Sequence, residues 1–329
     1  MKKLNTLMTK TIENFSRIGT ILLTGASGFV GKSLLKTSQH RGLMIRPVYR
    51  SLDSGRLHKD AVLVPGLESP VDWSQALQGV DVVIHTAARA HIMREGAQHA
   101  MAEYRRVNVE GTLNLARQAA FAGVRRFVFI SSIKVNGEAT DIGRPFIAND
   151  PPAPENAYGV SKAEAEAKLK QVAQEMGMEV IIIRPPLIYG PGVKGNLSSL
   201  ISLMRSGLPL PLGNVINNRR SMVYIDNLVD LILVCAAHPK AANQTFLVSD
   251  GEDLSTTELL MKIGKALEGP TRLFSVPEGL ISLMAGLVGK KVISHRLLSS
   301  LQVDIKKTCE LLDWKPSVAL DEGIRRTME

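Results

Sequence analysis

Tyr158 and Lys162 are the residues of this chain whose types and spacing best suit proton transfer. They lie four positions apart in a segment with helical character, so their side chains share one helix face. A phenol has an ordinary pKa of about 10, and a nearby ammonium group lowers it by favouring the phenolate. The pair could therefore exchange a proton with an alcohol or sugar hydroxyl. Taken alone, the spacing also fits a surface pair that stabilises a helix.

Two serines could assist this pair. Ser131 and Ser132 directly follow residues 126–130, which are predicted to form a buried strand. A hydroxyl at the end of a neighbouring strand could hydrogen-bond the oxygen on which the tyrosine acts. Either serine fits this description. With the glycine-rich turn described next, the serines favour a catalytic site over a surface pair.

A glycine-rich turn near the start of the chain predicts a dinucleotide site. Gly25, Gly28 and Gly31 follow an apolar run at 21–23 and lead into a predicted helix over 32–40. A strand, a glycine turn and a helix in this order let backbone N–H groups at the helix start face a diphosphate. Three glycines also occur in ordinary turns, but the order of the flanking elements favours nucleotide binding.

The end of the second predicted strand bears on the choice of cofactor. In folds of this kind an acidic side chain there binds the ribose 2′-hydroxyl of NAD, whereas arginine accommodates the 2′-phosphate of NADP. The strand at 44–49 is followed by Arg50, which favours NADP and leaves NAD possible. Thr86, Ala87 and Ala88 follow another buried strand, and their small size would let a cofactor ribose lie against the backbone.

The order of the predicted elements indicates an α/β fold of the Rossmann type, a doubly wound parallel sheet. Buried strands alternate with helices as far as residue 190, as is typical of a parallel sheet covered on both faces. Loops and short helices beyond that point predict a smaller, discontinuous and mostly helical second domain. The predicted division is an N-terminal extension at 1–18, a dinucleotide-binding domain at 19–190 plus about 222–250, and a C-terminal domain at about 191–221 plus 251–329.

Composition and charge limit the other functional classes. The net charge of +9 comes from basic residues scattered along the chain, and the aromatic content is only 5%. We therefore expect no nucleic-acid partner. No apolar run approaches the roughly 18 residues that would predict a membrane span. Cys235 and Cys309 lack partners at metal-binding spacing, so we expect no metal site and two reduced thiols in a cytoplasmic protein.

Several short segments resemble the extended short-chain dehydrogenase/reductase family, the group of nucleotide-sugar epimerases and dehydratases. They are TGASGFVG at 24–31, HTAA at 85–88, NVEGT at 108–112, SSIKVNG at 131–137, YGVSK at 158–162, RPPLIYGPG at 184–192 and DWKPSVALDEGIRRT at 313–327. The resemblance covers nearly the whole chain from about residue 21. It implies an enzyme with a nicotinamide cofactor in the first domain and a UDP-sugar substrate in the second.

The family pattern implies a role for each matching residue. Tyr158 is the expected acid/base, Lys162 binds the nicotinamide ribose, and Ser132 polarises the substrate oxygen. The implied cofactor-binding residues are Gly25, Ser27, Gly28, Phe29, Val30, Gly31, Arg50, Thr86, Ala87, Ala88, Asn108, Ser131, Tyr158, Lys162, Pro185 and Leu187. The implied substrate-binding residues are Ser132, Asn196, Leu197, Arg219 and Arg220, and the two adjacent arginines compete for the contact with the phosphates.

Two positions depart from the pattern of the family's 4,6-dehydratases, which carry Asp-Glu directly after the catalytic threonine. Ile133 and Lys134 occupy these positions. Because isoleucine cannot donate or accept a proton, we do not expect elimination of water.

The resemblance then favours an NAD(P)H-dependent reductase of a UDP-4-keto-6-deoxy-hexosamine, forming a UDP-N-acetylquinovosamine-type product for surface polysaccharide or O-antigen precursors. The alternative is a UDP-sugar 4-epimerase that retains NAD. A more distant alternative is a non-catalytic NADP-binding sensor. Sensors of that kind typically lose the tyrosine or the lysine, and this chain keeps both.

The family resemblance also implies a homodimer. The helices at 108–121 and 158–176 are expected to form a four-helix contact with a second copy. Ala163, Ala165 and Ala167 would permit close approach of the two copies.

Overall fold

The protein is described by a computed structural model over residues 18–51, 58–68, 71–90, 97–287 and 297–329. Its strands are β1 Thr20–Thr24, β2 Ile45–Tyr49, β3 Val62–Leu63, β4 Val80–His85, β5 Arg126–Ile130, β6 Glu179–Arg184, β7 Leu187–Tyr189, β8 Met222–Tyr224 and β9 Thr245–Leu247. Its helices are α1 Phe29–His40, α2 Ser74–Leu77, α3 Ala97–Tyr104, α4 Thr112–Phe121, α5 Ala157–Met176, α6 Asn196–Arg205, α7 Ile225–Ala237, α8 Thr256–Ala266, α9 Glu278–Leu287, α10 Lys306–Leu312 and α11 Leu320–Met328. A π-helical segment, Arg105–Gly111, joins α3 to α4, and Ile133–Val135 and Pro239–Ala241 form 3₁₀ turns.

Seven of these strands form one parallel sheet with the order β3-β2-β1-β4-β5-β6-β9. The chain reverses its direction of travel across the sheet between β1 and β4. In open parallel sheets, ligands bind beyond the carboxyl ends of the strands at such a reversal. The predicted α/β fold of the Rossmann type is confirmed. β7 and β8 pair in a separate two-stranded parallel sheet.

The central strands are buried on both faces, as their continuous apolar sequences predict. Every residue of β5 is buried, including its first residue, Arg126. Side chains alternate between the two faces: Ile21 and Leu23 belong to one apolar cluster, and Leu22 belongs to another. The helices therefore cover a two-sided core, and the strand ends are left to carry polar side chains.

One of these apolar clusters extends into the later part of the chain. It contains Leu23 of β1 together with Leu197 of α6, Tyr224 of β8 and Leu260 of α8. Residues of both predicted domains thus share one apolar cluster. The domain boundaries stay a prediction. Residues 1–17 of the predicted N-terminal extension lie outside the described residues.

The helix predicted at 108–121 does not begin as a regular α-helix. Between α3 and α4 the chain forms the π-helical segment Arg105–Gly111, which has one more residue per hydrogen-bonded turn than an α-helix. Asn108 is buried within this segment. The change of pitch has no signature in the apolar spacing of the sequence, so a continuous helix was the expectation.

The alanines proposed for a dimer contact do not share one face of α5. Ala165 is fully buried in the apolar cluster beneath the helix, so its predicted place at an outer surface is wrong. Ala163 is half-buried and Ala167 is exposed. A homodimer formed through this helix stays a prediction, with Ala163 and Ala167 as its small residues.

Within the described ranges, the helices include none that is both long and apolar enough to cross a membrane. The same ranges contain no group of three histidine, cysteine or acidic side chains placed to hold a metal ion. Cys235 is buried and Cys309 is half-buried, and both are free thiols.

Candidate active site

Tyr158 and Lys162 lie on α5 beside the carboxyl end of β5. The helix begins after Asn156, whose side-chain oxygen accepts a hydrogen bond from the Gly159 N–H at 2.7 Å. Lys162 Nζ donates to the carbonyl oxygen of Ile130, the last residue of β5, at 2.7 Å. Since Ser131 and Ser132 follow Ile130 directly, the helix and strand end bring the predicted catalytic residues to one edge of the sheet.

Lys162 is buried beneath the sheet edge. Its side chain is 1% exposed, and its Nζ lies 3.8 Å from the centroid of the Phe129 ring. Burial lowers the pKa of Lys162 to about 7, against a smaller opposing effect of the Glu166 carboxylate. Lys162 can therefore change its charge near neutral pH, unlike an exposed lysine.

Tyr158 is half-buried, with its ring packed edge-on against Tyr104 at 6.0 Å between centroids. Burial raises the pKa of Tyr158 to about 12, and the neighbouring Tyr104 adds to the effect. From the adjacent lysine, the sequence predicted a lowered pKa for Tyr158. Desolvation of the phenolate outweighs the effect of that lysine, whose own positive charge is disfavoured by burial. At neutral pH the Tyr158 hydroxyl thus carries its proton.

The structure distinguishes the two serines. Ser131 is buried, and its hydroxyl donates to Glu166 Oε1 at 2.5 Å. Ser132 is half-buried, and its hydroxyl oxygen accepts the Lys134 N–H at 3.3 Å. Because Ser131 is turned inward, the geometry favours Ser132 as the serine that meets a substrate.

The glycine-rich turn fits closely against its neighbours. Gly25 has a φ of +74°, and a Cβ there would lie 2.6 Å from the Thr86 hydroxyl oxygen and 2.7 Å from the Ala87 nitrogen. A Cβ on Gly31 would clash with the carbonyl oxygen of Gly25 and lie 2.8 Å from the Ala26 Cα. Gly25 therefore permits the tight turn, and Gly31 permits close packing of α1 against this turn.

The start of α1 fits a diphosphate. The helix begins at Phe29 after Gly28, without a side-chain cap and without an acidic residue in its first turn. Ser27 and Gly28 are exposed, and Phe29 and Val30 are half-buried. Backbone N–H groups and the positive end of the helix dipole suit an anion at this position.

The Asn108 side chain forms hydrogen bonds within the protein. Its side-chain oxygen accepts the Arg89 N–H at 2.8 Å, and its Nδ2 donates to the Arg89 carbonyl and to Ser161 Oγ, each at 3.0 Å. The π-helical segment thereby connects the loop after β4 to α5. The contact with a cofactor expected of Asn108 would therefore act through this loop, which carries Thr86, Ala87 and Ala88.

The remaining predicted cofactor residues differ in exposure. Arg50 is exposed directly after β2. Pro185 is buried, and its carbonyl oxygen accepts the Ile133 N–H at 3.0 Å. Leu187, the first residue of β7, is 42% exposed and could lie against a ligand.

The predicted substrate residues lie on α6 and before β8. Asn196 is exposed at the start of α6, whereas the Leu197 side chain is packed in the core. Arg219 Nη1 donates to Glu258 Oε2 at 3.0 Å. Arg220 Nη1 donates to the Ser299 carbonyl oxygen at 3.0 Å. The Arg219 guanidinium thus meets a carboxylate, and the Arg220 guanidinium meets a backbone carbonyl oxygen.

Three buried polar residues beside the site were not predicted as functional. Glu166 and Arg184 form a fully buried ion pair, with 2.6 Å between Glu166 Oε2 and Arg184 Nη2. His85 is fully buried between the hydroxyls of Thr24 and Thr112, at 2.6 and 2.9 Å from its ring nitrogens. The spacing of Glu166 four residues after Lys162 is the one sequence signal that pointed to this group.

Lowering the pH from 7 to 5 is expected to destabilise the protein through His85. Burial lowers the pKa of this histidine to about 3, with the charge of Lys162 as a second cause. Below pH 6.5 the unfolded chain binds a proton at this histidine and the folded protein does not, so the free energy of unfolding falls. The contribution between pH 7 and pH 5 is about 2 kcal/mol.

Urea unfolding of the wild type and His85→Gln at both pH values measures this difference. The His85→Gln variant should lose that part of the pH dependence, whereas His40→Gln, at the exposed end of α1, should keep it. An equal pH dependence in wild type and His85→Gln would contradict the prediction.

Comparisons with known proteins support the family assigned from the motifs. Residues 21–249 match the family described as NAD dependent epimerase/dehydratase. The chain is 48% identical over 315 residues to a UDP-glucose 4-epimerase of Vibrio cholerae, covering 94% of both chains. Among solved structures it resembles a UDP-glucuronic acid 4-epimerase of Bacillus cereus in complex with NAD, with a TM-score of 0.75, 20% identity and coverage of 94% and 95%. A UDP-glucose 4-epimerase of Thermotoga maritima with UDP-glucose gives a TM-score of 0.72, 23% identity and coverage of 94% and 97%.

Proposed function

Because the chain belongs to the NAD-dependent epimerase/dehydratase family and is an enzyme, we propose that it exchanges hydride between a nicotinamide cofactor and C4 of a UDP-linked sugar. The observation that carries the proposal is the grouping of Tyr158, Lys162 and Ser132 at the carboxyl end of β5. Ile133 and Lys134 follow Ser132, so this turn lacks the acid pair that elimination of water requires.

The residues of the chain fit a nicotinamide dinucleotide. Gly25 and Gly31 make the close turn, and α1 presents an uncapped amino end for the diphosphate. Lys162 and the loop after β4 would hold the nicotinamide ribose. The bound nicotinamide would supply an acceptor and donor of hydride.

The chain's own side chains would handle the proton and the orientation of the sugar. Tyr158 Oη would give a proton to, or take it from, the oxygen at C4 of the sugar. The high pKa of the Tyr158 phenol, about 12, means that it starts protonated and suits donation to a ketone oxygen. Ser132 would hydrogen-bond the same oxygen, and Arg220 would bind the diphosphate.

The leading form of this chemistry is 4-epimerisation, in which one enzyme oxidises C4 and reduces it again from the other face. The Vibrio cholerae relative, 48% identical over 94% of both chains, supports this form. A second candidate is NADPH-dependent reduction of a UDP-4-keto-6-deoxy-hexosamine. The specific observation in its favour is Arg50, which follows β2 where NAD-binding proteins place an acid.

One set of assays tests the proposal and separates the two forms. The purified protein is incubated with UDP-glucose and with UDP-N-acetylglucosamine, and the epimeric products are separated by chromatography. We expect interconversion at C4 without net oxidation of a nicotinamide. In parallel, a UDP-4-keto-6-deoxy-hexosamine is supplied with NADPH or NADH, and absorbance at the reduced-nicotinamide band is followed.

The outcomes divide clearly. Epimeric product with tightly bound NAD supports the leading form. Loss of NADPH absorbance with the 4-keto sugar, without epimerisation of the other UDP-sugars, would show that the protein is a reductase and not an epimerase. A protein that binds the nucleotide and turns over none of these sugars would contradict both forms and support the non-catalytic sensor.

A further inference from the structure

Ion pairs lie near both ends of β5 and β6. At the amino ends, Glu179 Oε2 lies 2.6 Å from Arg126 Nε and 3.2 Å from Arg125 Nη1. At the carboxyl end of β6, Arg184 meets Glu166 of α5 with two parallel contacts, Nη2 to Oε2 at 2.6 Å and Nε to Oε1 at 3.0 Å. The Glu166–Arg184 pair is at the sheet edge that carries the candidate active site.

The Glu166–Arg184 pair joins four segments of the chain. Both side chains are 2% exposed. Glu166 also accepts the Ser131 hydroxyl at 2.5 Å, and Arg184 Nη1 donates to Asn136 Oδ1 at 3.0 Å. Ser131 directly precedes Ser132. Asn136 directly follows the 3₁₀ turn Ile133–Val135, which begins after Ser132. The ion pair therefore holds both ends of the Ser132 turn against α5 and the end of β6.

Glu166 also bears on the charge of the active site. It lies one helical turn after Lys162, and its carboxylate raises the Lys162 pKa against the lowering caused by burial. The groups that interact with Lys162 include Glu166 of α5, the neutral His85 of β4, and the Phe129 ring and Ile130 carbonyl of β5. Arg184 of β6 adds a positive charge beside Glu166. Within this set Glu166 is the negative charge.

We propose that Glu166 is a positioning residue of the active site, whose carboxylate, held by Arg184, fixes the Ser132 turn against α5 and favours the ammonium form of Lys162. A buried ion pair contributes little net stability compared with apolar side chains of similar volume. The arrangement that the pair enforces is therefore its main effect. The inference rests on the proposed function, because that function requires the Lys162 ammonium beside Tyr158.

The first test removes the charge of Glu166 and keeps its shape. In Glu166→Gln we expect the Lys162 titration, followed by NMR of protein with ¹³C-labelled lysine and assigned with Lys162→Met, to move to lower pH by about one unit. Turnover at pH 7 should fall about fivefold, since a pKa that moves one unit down from about 7 lowers the ammonium fraction from about one half to about one tenth. The limb on which kcat falls with rising pH should move in the same direction. Glu166→Asp, which keeps the charge, should restore most of the titration and turnover.

The second test separates positioning from stability. In Glu166→Leu combined with Arg184→Met, both charges are replaced by apolar groups, so the protein is expected to unfold near the wild-type temperature. We nevertheless expect low turnover and a lowered Lys162 titration. Glu179→Gln is the matched control, since it breaks the ion pairs at the other end of the strands and should leave the Lys162 titration unchanged.

Wild-type turnover and Lys162 titration in the stable double variant would overturn the inference. If that variant does not fold, an unchanged Lys162 titration in Glu166→Gln overturns it as well. Failure of the proposed function is seen separately, as absence of turnover by the wild type on every UDP-sugar. The NMR titration needs no substrate and decides the role of Glu166 in that case too.

Discussion

Replacing Tyr158 with phenylalanine is expected to lower kcat by about 10²- to 10⁴-fold, the usual contribution of a general acid or base. Phenylalanine keeps the ring and its edge contact with Tyr104, at 6.0 Å between centroids, and removes the hydroxyl alone. Cofactor affinity should therefore change little. Steady-state turnover of the UDP-sugar gives kcat, and quenching of protein fluorescence by the added nucleotide gives the affinity.

Tyr104→Phe is the matched control for this experiment. It removes the hydroxyl that donates to the Ala90 carbonyl oxygen at 3.4 Å and leaves Tyr158 in place. We expect this variant to keep most of its turnover. If Tyr158→Phe turned over substrate at the wild-type rate, the mechanism proposed for the tyrosine would be wrong.

Replacing Gly31 with alanine is expected to weaken cofactor binding by about tenfold or more and to destabilise the protein. The added Cβ would clash with the Gly25 carbonyl oxygen and crowd the Ala26 Cα. Both neighbours are backbone, so α1 must shift away from β1, and overpacking of this kind costs about 1–3 kcal/mol. A loss of about 1.4 kcal/mol in the free energy of binding corresponds to a tenfold larger dissociation constant. Calorimetric titration with NAD and NADP measures the affinity, and thermal unfolding measures the stability.

Gly279→Ala provides the comparison for this substitution. Gly279 lies on α9, where a Cβ would meet no atom within 4 Å. Alanine should be neutral or slightly stabilising there because it favours the helix. Wild-type affinity for both nucleotides in Gly31→Ala would show that the turn does not hold the diphosphate.

The fold could be predicted because its signals are local. Runs such as Phe127–Ile130 are apolar on both faces, and the glycines of 25–31 separate the first strand from its helix. These features predicted the parallel sheet and the position of the nucleotide turn. Tyr158 and Lys162 were predicted to share a helix face for the same reason, since four-residue spacing fixes their relative direction.

The electrostatic state of the site could not be predicted from spacing. The distance along the helix between Tyr158 and Lys162 gives no information about burial, and burial raises one pKa and lowers the other. The Glu166–Arg184 pair was missed because its members are 18 positions apart and meet only after α5 packs on β6. The inward direction of Ala165 was missed because small residues fit an inner and an outer helix face equally well.

The chain around Arg220 is held differently from the large sheet. Arg220 joins Leu254 and Leu301 through isolated backbone bridges. Arg220 and Leu254 exchange N–H···O bonds of 2.8 and 3.1 Å, and the Leu301 segment adds bonds of 2.8 Å from Ser221 N to Leu301 O and from Leu301 N to Arg219 O. Isolated bridges of this kind open locally at a lower free energy than a seven-stranded ladder. A ligand that binds the closed form adds RT ln(1 + [L]/Kd) to the free energy of opening. Slowing of amide hydrogen exchange at these bridges would thus report nucleotide-sugar binding without any turnover.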